Sequence, residues 1–347
     1  MPTLETLLQF LAGLPRVRLG AFPTPLVPLA RLGAELGIDL WMKRDDVSGL
    51  AIGGNKTRKL EFILADARAR GSRTIVTVGP LTSNHTMMTA AAARRAGFDI
   101  HCVVAGTAPD RARDWSGNLL LLDYLGATLH FCPMDFTAPT AADARRVEAL
   151  CAEVTAATDG YFVPAGGTMP QAEPGYMSAI AEIARQRAGR FDFDDVVLAF
   201  GTGSTTTGVL LGLALGGFTA RVHPVAITNR ASAEAFGQRP PRQLFDESVA
   251  HFGLDLAPDA ISVHDIVYGC AEEGYGVPNA GSDAAIRRMA STEGYFLDTV
   301  YTAKAFAGLT TLVGDGRIPQ GARVLFLHTG GLSMTPAAEK RFGYGTT

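Results

Sequence analysis

The sequence predicts an α/β protein with mainly parallel sheets and helices packed on both faces of each sheet. Short apolar runs alternate with longer amphipathic ones through most of the chain. The short runs are rich in β-branched residues and are bounded by Gly, Pro or charge, which is typical of buried parallel strands. The length of 347 residues exceeds one ordinary hydrophobic core and indicates two lobes.

The alternation assigns the elements in order along the chain. The predicted strands are Thr74–Val78, Ile100–Val104, Thr128–Cys132, Val196–Phe200, Val222–Ile227 and Val324–Leu327. The predicted helices are Lys56–Arg70, His85–Ala96, Gly117–Leu125, Ala141–Ala157, Tyr176–Arg187, Thr207–Leu215, Asp283–Glu293 and Ala303–Gly314. Two regions interrupt this pattern. The segment Val163–Pro174 is rich in Gly and Pro, and Asn229–Ile261 is predicted to be a loop that contains a helix.

Composition excludes several classes of function. The formal net charge of −3 gives no electrostatic reason to expect nucleic acid or anionic lipid as a partner. The longest apolar stretch, Gly208–Phe218, is roughly half of what would span a bilayer. The first residues, Met1–Leu14, contain Glu5 and no Lys or Arg, so a secretory leader is not supported. We therefore expect a cytoplasmic protein without a membrane partner.

Cysteine and histidine usage points away from metal chemistry. The four cysteines stand apart among apolar neighbours, without a CxxC pair, at positions Cys102, Cys132, Cys151 and Cys270. This pattern is more typical of reduced core thiols than of disulfides or metal ligands. The seven histidines show no ligand spacing. No metal is expected.

The first chemical motif is Gly53–Glu61, GGNKTRKLE, which follows the strand-like run Leu40–Asp46. Two glycines let a backbone approach a ligand closely. Lys56 falls at the start of a predicted helix, where the positive end of the macrodipole disfavours a cation. Burial would also lower the lysine pKa and leave a nucleophilic amine. Taken alone, the motif also allows Lys56, Arg58 and Lys59 to form a solvated helix face.

The second motif is a Gly- and hydroxyl-rich loop between a predicted strand and a predicted helix. Its residues are Gly201, Thr202, Gly203, Ser204, Thr205 and Thr206. Such a loop at a helix N-terminus is a common phosphate site. It lacks GxxxxGK[ST] and GxGxxG, and Ala220–His223 holds no acid for a ribose, so nucleotides are disfavoured. A small organic monophosphate fits best, and a Thr-rich helix cap without a ligand is the alternative.

Two further segments contain polar side chains that could have either a structural or a functional role. In Thr82–His85, Ser83 and Asn84 would cap the following helix, or offer a hydroxyl and an amide to a carboxylate. Tyrosines stand in Tyr275–Asn279 and Asp298–Lys304. Lone tyrosines are usually half-buried packing residues, and nothing local decides otherwise.

Read together, the motifs resemble one family, the D-cysteine desulfhydrase and 1-aminocyclopropane-1-carboxylate (ACC) deaminase family of tryptophan-synthase-β-like pyridoxal phosphate (PLP) enzymes. The resemblance spans nearly the whole chain, and GGNKxRKLE is its most specific part. The motifs, in order, are PTPL at Pro23–Leu26, KRDD at Lys43–Asp46, GGNKTRKLE at Gly53–Glu61, TSNH at Thr82–His85, GNLLLLDYLGA at Gly117–Ala127, GTGST at Gly201–Thr205, YGVP at Tyr275–Pro278, EGYFLDTVYTAKAFAGL at Glu293–Leu309 and HTGG at His328–Gly331.

The resemblance implies a fold, a cofactor and roles for particular residues. Two open α/β domains would hold PLP in the cleft between them, with residues 1–54 plus 162–347 forming the large domain and 55–161 a smaller inserted one. A homodimer would be expected. Lys56 would carry PLP as a Schiff base and move the substrate proton, and Ser83 would hold the substrate carboxylate. Asn84 would contact the ring 3′-oxygen, and Tyr275 and Tyr301 would flank the substrate.

The phosphate would lie on the loop of Thr202, Gly203, Ser204, Thr205 and Thr206. The ring nitrogen would face Thr302, where ACC deaminases have a glutamate. A hydroxyl leaves the ring nitrogen neutral and weakens the electron sink, which favours β-elimination over cyclopropane opening. Thr302 as a mere cap of the helix that begins near Ala303 is the alternative.

The predicted activity is a PLP-dependent carbon–sulfur lyase that converts a small β-substituted amino acid, such as D-cysteine, to a keto acid, ammonia and sulfide. ACC deamination, a lyase for cysteate or diaminopropionate, and a non-catalytic PLP-binding protein are the alternatives. Departures from the family pattern leave substrate identity open. Thr82, Met87 and Met88 stand where QSNHxRQ is common, Thr299 replaces a proline, and Ala280 and Ala303 replace a glutamate and a glycine.

Overall fold

The computed structural model describes residues 2–110, 115–134, 140–235, 237–257, 260–263 and 265–330. The strands are β1 Leu26–Pro28, β2 Asp39–Arg44, β3 Thr74–Pro80, β4 Asp99–Ala105, β5 Thr128–Cys132, β6 Tyr161–Val163, β7 Asp195–Phe200, β8 Arg221–Ala226, β9 Ser262–Val263 and β10 Arg323–His328. The helices are α1 Leu4–Ala12, α2 Ala30–Leu36, α3 Lys56–Ala69, α4 Asn84–Ala96, α5 Gly117–Tyr124, α6 Ala141–Thr158, α7 Pro174–Gln186, α8 Ser204–Gly216, α9 Arg230–Ala235, α10 Pro241–Phe252, α11 Ala280–Glu293 and α12 Thr302–Gly314.

Two sheets organise the molecule. The larger has six strands in the order β1-β2-β10-β7-β8-β9, and the smaller has four in the order β5-β4-β3-β6. Every pairing is parallel except that of β1 with β2. The predicted class, an α/β protein with mainly parallel sheets flanked by helices, is confirmed.

The smaller sheet is inserted into the larger one along the chain. β2 pairs with β10 over the whole of both strands, and β3 to β6 lie between β2 and β7 in sequence. The predicted domain boundaries at residues 55 and 161 stay a prediction. β6 pairs with β3 and extends the smaller sheet to Val163.

Helices cover both faces of the larger sheet. On one face, α1, α7, α8 and α10 pack with the inward side chains of the central strands, such as Leu325 and Leu327. On the other, α2, α11 and α12 pack with the alternate residues, Val324 and Phe326. Helix α8 lies so deep that all its residues are buried, which explains why it is apolar all round.

The smaller sheet is covered in the same way. Helices α3 and α4 share one core with strand residues such as Ile75 and Ile100. Helix α6 packs on the opposite face, where Val147, Cys151 and Val154 meet β3 and β4. Helix α3 also contacts α7, a helix that covers the larger sheet, and so connects the two sheets.

The six predicted strands and eight predicted helices are present, with helix starts that differ by up to three residues. The elements not predicted from the sequence are short or lack clear periodicity: α1, α2, β1, β6 and β9. Asn229–Ile261 contains two helices, α9 and α10, where a loop with one helix was predicted. Val163–Pro174 forms two single 3₁₀ turns before α7 begins.

No helix in the described part of the chain is long and apolar enough to cross a bilayer. All four cysteines are free, and three of them are buried. Burial raises the pKa of the Cys102 thiol to about 12 and that of Cys151 to about 11, so both are inert at neutral pH. The described residues contain no group of three or more His, Cys, Asp or Glu side chains that could hold a metal ion.

Candidate active site

A cavity of about 1290 Å³ lies at the carboxyl ends of strands from both sheets. Its lining includes residues at or just after the ends of β3, β6, β7, β8 and β10. Open parallel sheets commonly bind ligands at this edge. Nine of the eleven residues predicted for the site line the cavity: Lys56, Ser83, Asn84, Thr202, Gly203, Thr205, Thr206, Tyr275 and Tyr301.

The other two, Ser204 and Thr302, are buried and are held by the helices α8 and α12 that they begin. The tertiary structure thus brings together residues that lie far apart in the sequence.

Lys56 is the first residue of α3 and points its amine into this cavity. Nζ donates a hydrogen bond to Oδ1 of Asn55 at 3.2 Å, and no carboxylate of the described residues lies within ion-pair distance. Burial lowers the pKa of Lys56 to about 8. About a tenth of the amine is therefore unprotonated at pH 7, far more than for an ordinary lysine, as favours a nucleophile.

The two glycines before Lys56 allow a close approach of protein backbone. A Cβ on Gly53 would overlap the carbonyl oxygen of Asp46, and one on Gly54, whose φ is +122°, would lie 3.0 Å from the Thr329 oxygen. The close approach that the structure shows is to protein backbone, and the predicted approach to a ligand stays a prediction. The backbone contact places the start of α3 against the end of β10.

The alternative of a solvated helix face is wrong. The Arg58 side chain is fully buried and donates to Asp45 at 2.8 Å through two nitrogens and to Glu182 at 3.0 Å. Lys43 also donates to Glu182, and the Tyr176 hydroxyl donates to Asp45 at 2.7 Å. Burial acts to lower the pKa of Arg58, but the two carboxylates outweigh it and raise that pKa.

A second lysine lines the cavity one helical turn after Lys56. Lys59 is 2% exposed, and its Nζ donates to the Gly166 oxygen at 3.3 Å. Burial and the neighbouring charge of Lys56 lower the pKa of Lys59 well below its usual range. The described residues supply no counter-ion in contact with it, so an anion bound in the cavity would stabilise this ammonium.

The predicted phosphate loop connects β7 to α8 and is tied to the rest of the cavity wall. The Thr202 hydroxyl accepts from Thr168 at 2.5 Å, and the Thr205 hydroxyl accepts from the Asn55 amide at 3.0 Å. Gly203 precedes the helix with φ of +100°. The same Asn55 therefore connects the loop to Lys56.

Two hydroxyls of the loop fit a phosphate. Ser204 Oγ and Thr206 Oγ1 are buried and have no hydrogen-bond partner among the described residues. Unpaired buried hydroxyls are costly, and they lie in the first turn of α8, where free N–H groups and the helix dipole favour an anion. With the Lys56 amine in the same cavity, the residues present fit both the phosphate and the aldehyde of PLP.

Ser83 and Asn84 begin α4 at another wall of the cavity. Ser83 Oγ accepts the Thr86 N–H at 3.2 Å, so it caps the helix, and its own O–H proton can still be donated into the cavity. Asn118 donates to Asn84 Oδ1 at 2.7 Å and so fixes which end of that amide accepts. The helix-capping role and a ligand-binding role are compatible here.

The two predicted tyrosines meet in the cavity. Their hydroxyl oxygens are 2.5 Å apart, and their rings pack edge to face. Burial raises the pKa of Tyr275, and burial together with Tyr275 and Asp298 raises that of Tyr301 well above its usual range. Both hydroxyls are protonated at neutral pH. Because one donates to the other, the pair has one O–H left to donate elsewhere.

Thr302 is held by Asp298. Its hydroxyl donates to the Asp298 carboxylate at 2.7 Å and accepts the Asp298 N–H at 2.8 Å. The Asp298 carboxylate also accepts the backbone N–H groups of Val300 and Tyr301, each at 2.9 Å. The Asp298 carboxylate, and not Thr302, thus accepts the free N–H groups at the start of α12. The predicted contact of Thr302 with a ring nitrogen stays a prediction.

Two departures from the family pattern prove to be remote from the cavity. Met87 and Met88 are each 1% exposed and belong to the core between α3, α4 and the smaller sheet. At these two positions the family pattern has polar residues, and here the methionine side chains pack in the core instead. Thr82, in contrast, is exposed, and its side chain hydrogen-bonds to Tyr275.

Sequence analysis missed several residues of the site. Asn55 connects Lys56 to the phosphate loop and binds the Thr329 oxygen through its own N–H at 2.9 Å. Lys59 and Thr329 line the cavity as well. All three stand inside quoted motifs, GGNKTRKLE and HTGG, so the signal was present but carried no role. Gly331, the last residue of HTGG, lies outside the described residues.

The comparisons with known proteins agree with this geometry. Residues 17–330 match the family described as pyridoxal-phosphate dependent enzyme. The chain is 36% identical over 331 residues to D-cysteine desulfhydrase of Klebsiella pneumoniae, with 93% of this chain and 96% of that protein covered. It is 34% identical over 332 residues to the putative 1-aminocyclopropane-1-carboxylate deaminase of Pyrococcus horikoshii, with 94% of each covered.

Solved structures show the same likeness. An ACC deaminase homologue superposes with a TM-score of 0.80 at 31% identity, with 97% of this chain and 98% of that chain covered. Threonine deaminase isoform 2 from Solanum lycopersicum, at 17% identity and a TM-score of 0.67, shares the fold, with 94% of this chain and 89% of that chain covered. By sequence, fold and cavity, this chain belongs to the pyridoxal-phosphate dependent enzyme family.

Proposed function

We propose that this enzyme is a lyase that eliminates the β-substituent of a small amino acid, with D-cysteine as the first substrate to test. With D-cysteine, one water is consumed, and pyruvate, ammonia and hydrogen sulfide are released. The observation that carries the proposal is a buried lysine of lowered pKa in a cavity that also holds unpaired phosphate-loop hydroxyls and a hydroxyl donor pair.

The cofactor would be held by three groups of residues. Lys56 would form the Schiff base, and Asn84 would bind the ring 3′-oxygen. The phosphate would bind at the N-terminus of α8 to the hydroxyls and N–H groups of the loop, which comprises Thr202, Gly203, Ser204, Thr205 and Thr206. Lys59 supports this assignment because its Gly166 contact lies on the turn that packs against Thr202, so its amine is near the loop and a bound phosphate would stabilise its protonated form.

When bound, PLP supplies an electron sink that acidifies the Cα–H of an attached amino acid. The chain's own part is to remove that proton, and the Lys56 Nζ, once released by the incoming amine, is the base in position. Its pKa of about 8 suits proton transfer near neutral pH. Ser83 would bind the substrate carboxylate through the O–H that its capping role leaves available.

The tyrosine pair would act on the departing group. Tyr275 and Tyr301 share one hydrogen bond, so one O–H remains to protonate a leaving thiolate. Because both pKa values are raised, the donor is in its protonated form at the pH of the reaction. A leaving sulfur would therefore depart as a thiol.

The charges of the cavity favour a neutral β-substituent. Of the described lining residues, only Lys56, Lys59, Glu148 and Arg239 are charged. Both lysines have cofactor roles in this proposal, and Arg239 contacts Glu247 beside the phosphate-loop side of the cavity. The hydroxyls of Tyr275 and Tyr301 hydrogen-bond to each other, and no hydrogen bond joins either of them to one of these four residues. A thiol is thus matched better than the sulfonate of cysteate or the ammonium of diaminopropionate.

The alternative substrate ACC is disfavoured by the same residues. ACC has no Cα proton for Lys56 to remove, and its ring opening needs a strong electron sink. Thr302 offers no carboxylate to a ring nitrogen, and its hydroxyl is engaged with Asp298. A non-catalytic PLP-binding protein would have no use for Ser83 and the tyrosine pair together.

The test is a substrate screen with purified enzyme. D- and L-cysteine, cysteate, diaminopropionate and ACC are each supplied, and keto acid, ammonia, sulfide and sulfite are measured. We expect pyruvate and sulfide in equal amounts from a cysteine and negligible 2-oxobutyrate from ACC. Efficient ACC deamination would refute the electronic argument. If no amino acid reacts or changes the absorption of the bound cofactor, the protein is a PLP-binding protein without this activity.

We further propose that the enzyme is a cytoplasmic homodimer, as its family resemblance implies. Light scattering on the purified protein should give twice the mass of the 36.6 kDa chain. Fractionation of the producing cells should place the activity with the cytoplasmic enzymes. A monomeric mass, or activity in the exported fraction, would contradict these two assignments.

A further inference from the structure

Lysine is rare in this chain and is used in unusual places. Among 31 basic residues only five are lysines, at positions Lys43, Lys56, Lys59, Lys304 and Lys340. Lys340 lies outside the described residues. Lys43 contacts the Glu182 carboxylate, and Lys56 and Lys59 line the cavity. Lys304 remains as a buried cation for which neither the proposed chemistry nor an ion pair accounts.

Lys304 binds two backbone carbonyl groups. It is fully buried on α12, one turn after Tyr301. Nζ donates to the Gly274 oxygen at 3.0 Å and to the Ile227 oxygen at 3.3 Å. Among the described residues no carboxylate lies within ion-pair distance of it. Because its ammonium binds two carbonyl groups, Lys304 connects the two chain segments to which those carbonyls belong.

Each of these segments belongs to the cavity wall. Gly274 immediately precedes Tyr275, and its φ of +108° requires glycine. Ile227 follows the end of β8 and packs its side chain against Gly201 at the start of the phosphate loop. Lys304 therefore connects the segments that carry the two tyrosines. Tyr301 directly precedes α12, the helix of Lys304, and Tyr275 directly follows Gly274, whose carbonyl Lys304 binds.

The charge of Lys304 persists at neutral pH despite its burial. Burial lowers its pKa to about 8, while Glu273, Asp298 and Cys270 act in the opposite direction. Below that pH the ammonium keeps three donors. Such a charge-assisted bond to a carbonyl is stronger than a neutral one. Glu273 is itself engaged by the Asn279 amide at 2.8 Å.

We propose that Lys304 is a positioning residue that holds the Gly274–Tyr275 segment so that the Tyr275 hydroxyl stays in hydrogen-bond contact with Tyr301. The proposal rests on the function proposed above, in which this pair protonates the leaving group. Lys304 itself touches neither substrate nor cofactor. A shift of the tyrosine by about 1 Å would be enough to slow the reaction by up to about a hundredfold.

The test replaces Lys304 by methionine, which keeps the chain length and removes the donors. Hydrogen exchange followed by mass spectrometry reports the segment 271–276 directly, in the protein with and without PLP. We expect Lys304→Met to speed exchange in this segment, and to lower kcat for the β-elimination about tenfold or more with a smaller change in KM.

Phe306→Leu is the matched control. Phe306 is buried on the same helix and packs on Phe326 in the core, away from the tyrosines. It should lower the melting temperature while leaving exchange in 271–276 unchanged. If Phe306→Leu speeds exchange in that segment as much as Lys304→Met does, the effect is general loosening of α12 and the inference is wrong.

A double-mutant comparison separates this inference from the function on which it rests. If Lys304 acts through Tyr275, then adding Lys304→Met to Tyr275→Phe should change kcat by less than about twofold. Fully additive losses would refute the positioning role. If Tyr275→Phe alone leaves the rate unchanged, the proposed role of the tyrosine fails, while the exchange experiment still decides whether Lys304 holds the segment.

Discussion

Two sides of the first turn of α3 place cations in opposite environments. Arg58 faces the larger sheet, where Asp45 and Glu182 surround it, and its pKa is raised. Lys56 faces the cavity, where burial acts without a carboxylate, and its pKa falls to about 8. The two residues are only two positions apart. Burial alone therefore does not decide whether the pKa of a cationic side chain rises or falls. The presence of a carboxylate beside it does.

The difference separates a structural charge from a chemical one. On the Arg58 side every strong donor has an acceptor, so the group gains nothing by reacting or binding further. On the cavity side, the hydroxyls of Ser204 and Thr206 have no partner among the described residues, and the Lys56 amine has a neutral one, the Asn55 amide oxygen. Unsatisfied groups of this kind indicate where a ligand is needed.

The largest effect is expected from removing the cavity-side cation. Lys56→Ala should lose covalent PLP and slow the β-elimination at least about 1000-fold, because the nucleophile and the base are lost together. Borohydride reduction followed by peptide mass spectrometry locates the attachment. Lys59→Ala, the control, should keep the label at Lys56. A label on Lys43 or Lys59 in the unmodified enzyme would overturn the assignment.

Removing the paired cation should instead affect stability. Arg58→Met leaves the buried Asp45 carboxylate without its guanidinium partner, while Glu182 keeps only Lys43, and should lower the free energy of unfolding by about 3–5 kcal/mol. Urea unfolding of the PLP-bound enzyme measures it. The control is Arg288→Met, which breaks a half-exposed pair with Glu35 and should cost below about 1 kcal/mol. Equal losses in the two variants would remove the distinction between the two sides of α3.

A smaller effect is expected from the unpaired hydroxyls on the cavity side, where one substitution should lower PLP affinity without lowering stability. Ser204→Ala or Thr206→Ala removes a charge-assisted hydrogen bond to phosphate worth about 1.5–3 kcal/mol. At about 1.4 kcal/mol per decade, PLP affinity should fall tenfold or more. The stability of the PLP-free protein should stay equal or rise, because an unpaired buried hydroxyl is lost.

Thr207→Val is the matched control for the loop. The Thr207 hydroxyl donates to the Gly203 oxygen at 3.2 Å within the helix, so it is already satisfied. Its replacement should leave PLP affinity nearly unchanged. Equilibrium dialysis of PLP against each variant gives the affinities. Unchanged affinity in both Ser204→Ala and Thr206→Ala would place the phosphate elsewhere.

The smallest effect is the pH dependence of cofactor attachment. With a pKa of about 8, the reactive unprotonated fraction of Lys56 rises from about a tenth at pH 7 to about nine-tenths at pH 9. The rate at which PLP rejoins the PLP-free enzyme should rise through pH 8 and then level off. Nα-acetyl-lysine in solution is the reference, and its rate should still climb at pH 10. A similar climb for the enzyme would show an ordinary lysine.

Much of this protein could be predicted from the sequence because its signals are local. The parallel strands Thr74–Pro80 and Asp195–Phe200 are buried on both faces, so their side chains form near-continuous apolar runs. The loop before α8 can be recognised from its high content of Gly, Ser and Thr. The short elements were missed for the same reason, since β6 has only three residues and β9 two.

The sequence by itself determined the fold class, the family resemblance and the residues that carry it, including Lys56 and the Thr202–Thr206 loop. Only the tertiary structure decided which cations are paired and which are not. Asp45, Arg58 and Glu182 meet because α7 packs on α3 beside the turn that follows β2. Likewise Lys304 meets the Gly274 oxygen only through folding. Electrostatic partners depend on distance in space, and a linear pattern does not contain it.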